Sequence, residues 1–115
     1  MKNKNDNITL YSLTTWKRNN PDLQLYTVRD GVKGWVRDTV CTTIQHHGWK
    51  HLSQAYDYDL FCDEKPKSMA NRLIRESFLK NKDLSQYEFI YYPYYYTGDN
   101  SFMDCLYVYF KEKNL

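Results

Sequence analysis

The chain is poor in the residues that build cofactor loops and disulfide frameworks. It has four glycines in 115 residues, and no phosphate-binding glycine loop, nucleophile elbow or HExxH signature can be traced in it. Its three cysteines, Cys41, Cys62 and Cys105, lie far apart without CxxC spacing. An odd, scattered set does not describe a disulfide framework and points to reduced thiols in a cytoplasmic protein, packed as small hydrophobes. No apolar run approaches the length of a membrane span. The first seven residues, MKNKNDN, carry charges with no apolar stretch behind them, unlike a signal peptide. The net charge of +2 is too weak to argue for nucleic acid by itself and too positive for an acidic mimic of DNA.

What the chain has in excess is aromatic surface. Aromatic residues make up 17% of it, twelve of them tyrosines, and they supply the apolar area that disordered sequences lack. The length suits one domain with one core, large enough to fold without metals or disulfides. The expected organisation is a flexible tail over 1–7 and a single α+β domain over 8–115. Abundant lysine, asparagine and tyrosine reflect AT-rich codons, which fits a phage or mobile-element origin.

Pattern along the chain predicts the order β-β-α-β-α-β-β, a single mostly antiparallel sheet backed by two helices. Residues 8–16 (ITLYSLTTW) read as a first strand and 24–29 (QLYTVR) as a second, ended by the turn dipeptide Asp30-Gly31 and able to pair with the first as a hairpin. Over 35–47, Val36, Val40, Ile44 and His47 recur at helical spacing and Gly48 stands where a C-terminal glycine belongs. The β-branched Thr39, Val40, Thr42, Thr43 and Ile44 oppose a helix there, and the helix is favoured. Residues 56–62 alternate as a half-buried strand. Pro66 pre-sets a helix start, with Asp63 or Ser68 as caps, and Met69, Ala70, Leu73, Ile74 and Phe78 form one apolar stripe through Lys80.

The last third reads as a tyrosine-rich hairpin of strands 87–96 and 102–110. A two-residue Gly98-Asp99 loop pairs Phe102 with Tyr95, Leu106 with Tyr91, Val108 with Phe89 and Phe110 with Tyr87, which puts one nearly all-apolar face inward. The other face then presents Tyr92, Tyr94, Tyr107 and Tyr109, beside Glu88, Ile90, Cys105 and Lys111. In this register Pro93 meets Asp104, and the ladder is expected to break there.

Four sets of residues are candidates for chemistry. Tyr92, Tyr94, Tyr107 and Tyr109, with Trp49, are the candidate partner-binding residues, because tyrosine offers rigid amphipathic area at low entropic cost. The same rings fit base stacking, with Lys67, Arg72, Arg75 and Lys80 as the basic helix face that would meet phosphates. His46, His47 and His51 cluster in sequence, but in a helix His46 and His47 diverge, so surface and capping roles fit better than a metal or an acid–base pair. Asp57 and Asp59, near Asp63 and Glu64, alternate as a wet strand face more readily than as a Mg²⁺ site.

No catalytic residue, metal ligand or cofactor is assigned, and an enzyme is not expected. The leading expectation is a small protein-binding module, an inhibitor or regulator of another protein, with no membrane partner and room for a homodimer along an exposed edge. The alternatives are an RNA or single-stranded DNA binder and a small metal-dependent nuclease.

Overall fold

The structure, a computed structural model, describes residues 8–26, 36–56, 65–94 and 105–113. In chain order these form β1 (Thr9–Ser12), α1 (Leu13–Asn19), α2 (Arg37–His46), β2 (Lys50–Tyr56), α3 (Pro66–Glu76), a 3₁₀ turn at Leu84–Gln86, β3 (Tyr87–Tyr94) and β4 (Cys105–Glu112). The α+β class is as expected. The strands make one mixed sheet in the order β1-β3-β4-β2. The β3/β4 and β2/β4 pairings are antiparallel, and β1 joins β3 in parallel.

The N-terminal reading needs correction. The first strand stops at Ser12, whose side chain accepts the Thr15 backbone N–H at 3.1 Å and so starts a helix where β-branched composition favoured more strand. That helix turns Trp16 into the core, and a buried indole outweighs weak local propensity. Asn20 closes α1 by donating its Nδ2 to the Trp16 carbonyl at 2.8 Å. Residues 24–26 are not strand, and the rest of that expected strand, 27–29, lies outside the described residues. No hairpin with β1 forms from 24–26: the partner of β1 is β3.

The two longer helices fall close to where periodicity put them. In α2, Thr39, Val40, Thr43 and Ile44 are buried as one stripe, so tertiary burial overrides the β-branched penalty. The Thr43 hydroxyl is satisfied there, accepting the Tyr26 N–H at 2.9 Å. His47 is the C-cap and Gly48 follows with φ +94°, the left-handed region that suits glycine after a helix. Helix α3 has Pro66 in its first turn and Lys65 as N-cap; Ser68, one of the expected caps, lies inside the helix, and the other, Asp63, lies outside the described residues. It ends earlier than its stripe implied. The Ser77 hydroxyl donates to the Ile74 carbonyl at 2.8 Å and accepts the Leu79 N–H at 3.1 Å. This bend rotates Leu79 into the core and leaves Phe78, expected on the inner stripe, 65% exposed.

The strand expected over 56–62 is met only at Tyr56, the last residue of β2; 57–62 lie outside the described residues. The body of β2, from Lys50, was missed because KHLSQA lacks alternation and is interrupted by a bulge between His51 and Ser53.

The terminal hairpin exists, but its register is displaced by two residues. Phe110 lies opposite Phe89, Val108 opposite Tyr91 and Leu106 opposite Pro93. A shift of two leaves every side chain on the face it was assigned, so face chemistry cannot distinguish the two pairings. The ladder does not break at Pro93; it continues to Tyr94 opposite Cys105. Asp104 and the Gly98-Asp99 loop lie outside the described residues.

Both faces of the sheet are covered. Met69, Ala70 and Ile74 of α3 pack with Leu52, Leu79, Leu84, Phe89, Leu106 and Val108. On the opposite face Trp16 of α1, Val40 and Ile44 of α2, and Trp49 pack with Ile90, Tyr92 and Tyr109. The helices thus cover the sheet from both sides, giving three layers.

Candidate functional site

The tyrosine face is built by alternation along β3 and β4, and its environment is set by α1 and α2. Tyr109 is 1% exposed, Tyr92 8% and Trp49 5%. These three, expected on a presented surface, are core, because the helices that follow β1 and precede β2 fold over them. Their area lies against Trp16, Val40 and Ile44. Tyr94 and Tyr107 sit at the margin of the same cluster and are half-buried.

The rings form a connected set. Tyr92 stacks on Tyr107 with centroids 5.9 Å apart and planes at 27°, and meets Tyr94 edge-on at 6.3 Å. The Arg37 guanidinium lies 5.3 Å from the centre of the Tyr94 ring. Burial pushes the Tyr92 phenol well above its ordinary range, with the nearby Cys41 thiol adding to it. Tyr109 is pushed up by burial and by its hydrogen bond to Cys41. Tyr107 is raised to about 12 by burial and by its hydrogen bond to Cys105. Burial also pushes the Cys41 thiol up. These groups stay protonated at neutral pH, so they act as neutral hydrogen-bonding and packing groups.

Where the carboxyl ends of β1 and β3 lie side by side, the surface opens into a groove of about 540 Å³. Ser12, Leu13 and Thr14 line it from the start of α1, Lys65, Pro66 and Lys67 from the start of α3, and Tyr91, Tyr92 and Pro93 from β3. The lining is mostly apolar, with Lys65 and Lys67 exposed on its rim. Tyr92 thus has two roles: most of its ring is core, and its remaining surface faces the groove. Sequence reasoning missed this site because three segments distant in the chain assemble it. Of its lining, Tyr92 and Lys67 are candidates in the sequence, but in separate sets, and Pro93 is marked there only as an irregularity in a strand.

A second, more polar cleft of about 350 Å³ lies among Tyr11, Trp16, Asn20, His47, Trp49, Glu88 and Lys111. The Lys111 ammonium sits 5.7 Å from the Trp49 ring centre and donates to the His47 carbonyl at 3.5 Å.

The remaining candidates disperse. His46 stacks on Tyr26 at 4.3 Å, while His47 meets Trp16 and Tyr26 edge-on. His51 lies on β2 against the edge of Tyr109. Among the described residues no three histidine, cysteine or acidic side chains are grouped as metal ligands would be; Asp57, Asp59, Asp63, Glu64 and Cys62 lie outside them. Of the basic set, Arg72 is paired with Glu76 at 3.5 Å, and Arg75 bonds Asn71 at 3.3 Å. Lys67 is at the start of α3 and Lys80 beyond its end, so the four do not form one continuous stripe. No helix among the described residues is long and apolar enough to cross a membrane.

Comparisons with protein-family models, with curated proteins and with solved structures each find no match for this chain.

Proposed function

We propose that the chain is a non-enzymatic protein-binding module, an inhibitor or regulator that docks on another protein through the groove at the carboxyl ends of β1 and β3. The observation that carries this reading is the mostly apolar groove lined by Leu13, Pro66, Tyr91, Tyr92 and Pro93. Prolines and tyrosines lose little conformational freedom on binding, so they present area at low entropic cost. Tyr94 and Tyr107, half-buried on β3 and β4, pack with Tyr92, one of the groove's lining residues, and Arg37 lies over the Tyr94 ring. Trp49 and Tyr109 are reassigned as the packing that holds those rings in place. Abundant lysine, asparagine and tyrosine, all encoded by AT-rich codons, fit a phage or mobile-element protein of this kind.

The test is affinity capture from host lysate with nuclease treatment, comparing the wild-type chain with a Thr14→Arg, Lys67→Glu variant that crowds the groove and reverses its rim. Both positions are exposed, so the variant is expected to fold. The expected result is a protein that survives nuclease with the wild-type chain and is lost with the variant. A partner that disappears with nuclease favours the nucleic-acid reading. A partner retained by the variant removes the groove from the proposal.

A further inference from the structure

Phe78 is the most exposed large hydrophobic residue among the described residues, at 65%. An isolated exposed apolar side chain is ordinary on a protein surface, but Phe78 is not isolated. Its ring meets Phe110 edge-on at 5.6 Å, and Phe110 in turn meets Tyr87 at 6.0 Å. The Ser77 bonds that end α3 also fix the backbone that carries Phe78. An aromatic anchor held on rigid neighbours is the form in which a few residues dominate an interface.

Lysines outnumber acids in the charge around it, the Arg72–Glu76 pair set aside. Lys80 and Lys82 follow in two consecutive tight turns, closed by Lys80 N–H to Ser77 carbonyl and Lys82 N–H to Leu79 carbonyl bonds at 3.0 and 2.9 Å. Lys50 lies directly across the ladder from Phe110. All three lysines are exposed. Of the nearby acids, Glu76 is paired with Arg72, Asp83 keeps its charge while accepting from the neutral Ser85 hydroxyl, and Glu112, opposite Tyr87, is exposed. The surface is therefore an apolar centre beside three exposed lysines, set against the two acids Asp83 and Glu112. It is separate from the groove: Tyr87 and Pro93 stand at opposite ends of β3, about 20 Å apart at strand rise.

We infer that Phe78 and its lysine rim form a second docking surface, for an acidic protein segment that lays an apolar side chain against the Phe78 ring. A protein segment fits better than a nucleic acid strand, which asks for an unbroken basic track and successive stacking rings. Here one ring is exposed, and Asp83 and Glu112 interrupt the basic residues. This goes beyond the groove reading and does not depend on it.

The experiment is fluorescence anisotropy with three labelled probes: a short Glu/Asp-rich peptide with a central leucine, the same peptide with lysines for the acids, and oligothymidylate. The acidic peptide is expected to bind in preference to the other two. Its affinity should fall about tenfold with Phe78→Ser, the cost of losing one anchor. A similar fall is expected with Lys50→Glu, Lys80→Glu and on raising salt from about 50 to about 300 mM. The groove variant Thr14→Arg, Lys67→Glu should bind the peptide unchanged, so failure here and failure of the groove reading are separable. Thermal melts check folding, and the lysine variant carries the test if Phe78→Ser is unstable. Equal binding by wild type and both variants, no binding of the acidic peptide, or tighter binding of oligothymidylate overturns the inference.

Discussion

Arg37 holds its guanidinium 5.3 Å from the centre of the Tyr94 ring, joining the first residue of α2 to the last residue of β3. The contact links a helix on one face of the sheet to the end of a strand that approaches it only through tertiary folding. A guanidinium over a partly exposed ring contributes about 0.5–1 kcal/mol. A double-mutant cycle with Arg37→Ala and Tyr94→Ala, read by urea denaturation, should return a coupling of that size. A coupling near zero would mean that this contact adds nothing to the stability of the fold.

Tyr109 is expected to behave as core. Its ring is 1% exposed and packs against α2 and Trp49, so Tyr109→Ala should destabilise the fold by about 3–5 kcal/mol, as for other buried aromatic truncations. Chemical denaturation followed by tryptophan fluorescence measures this directly. A loss below about 1 kcal/mol would contradict its burial.

Ser12 both ends β1 and caps α1. Ser12→Ala removes the acceptor for the Thr15 N–H and should cost about 1 kcal/mol. Ser12→Asp, which keeps an acceptor and favours the positive helix terminus, should recover most of it. Denaturation midpoints of the three proteins give the comparison.

Alkaline pH should destabilise the fold through the tyrosine cluster. The Tyr107 phenol is raised to about 12 by burial and its bond to Cys105, and Tyr92 and Tyr109 are shifted upward as well. A folded state that holds a proton more tightly than the unfolded chain has that stabilisation in full below the unfolded phenol value of about 10. The stabilisation is lost as pH rises through the folded value. Urea midpoints should therefore fall above about pH 10, with phenolate absorbance appearing late in the folded protein. Tyr107→Phe should reduce the slope; an unchanged slope would remove Tyr107 as a contributor.

Thr39 is buried in α2, and among the described residues its Oγ1 finds no hydrogen-bond partner. An unsatisfied buried hydroxyl costs about 1–3 kcal/mol, whereas an apolar group of the same shape carries no such penalty. Thr39→Val should leave stability unchanged or raise it by about 1 kcal/mol, measured by thermal and urea unfolding. A clear loss would show that the hydroxyl finds a partner in solution.

Much of the fold was legible because helical stripes and strand alternation are local signals. Val40 and Ile44 marked α2, Met69, Ala70 and Ile74 marked α3, and alternation in β3 and β4 sorted side chains between two faces correctly. The candidate site was far less legible. Tyr92, Tyr109 and Trp49 were assigned to an open surface because a tyrosine face looks the same in sequence whether water or a helix covers it. The groove escaped notice because Leu13, Pro66 and Pro93 come from three separate segments.

The sequence by itself therefore determined the α+β class, the two main helices, and which hairpin residues share a face, since periods of 3.6 and 2 are properties of consecutive residues. Tertiary structure alone decided the two-residue register, the parallel docking of β1, the cover of α1 and α2 over the tyrosines, and the outward turn of Phe78. A two-residue slip preserves every face, so the pairing is chosen by how the whole sheet and its two helical layers pack together. A residue's exposure is likewise set by what lies over it, and in this protein those covering elements come from distant parts of the chain.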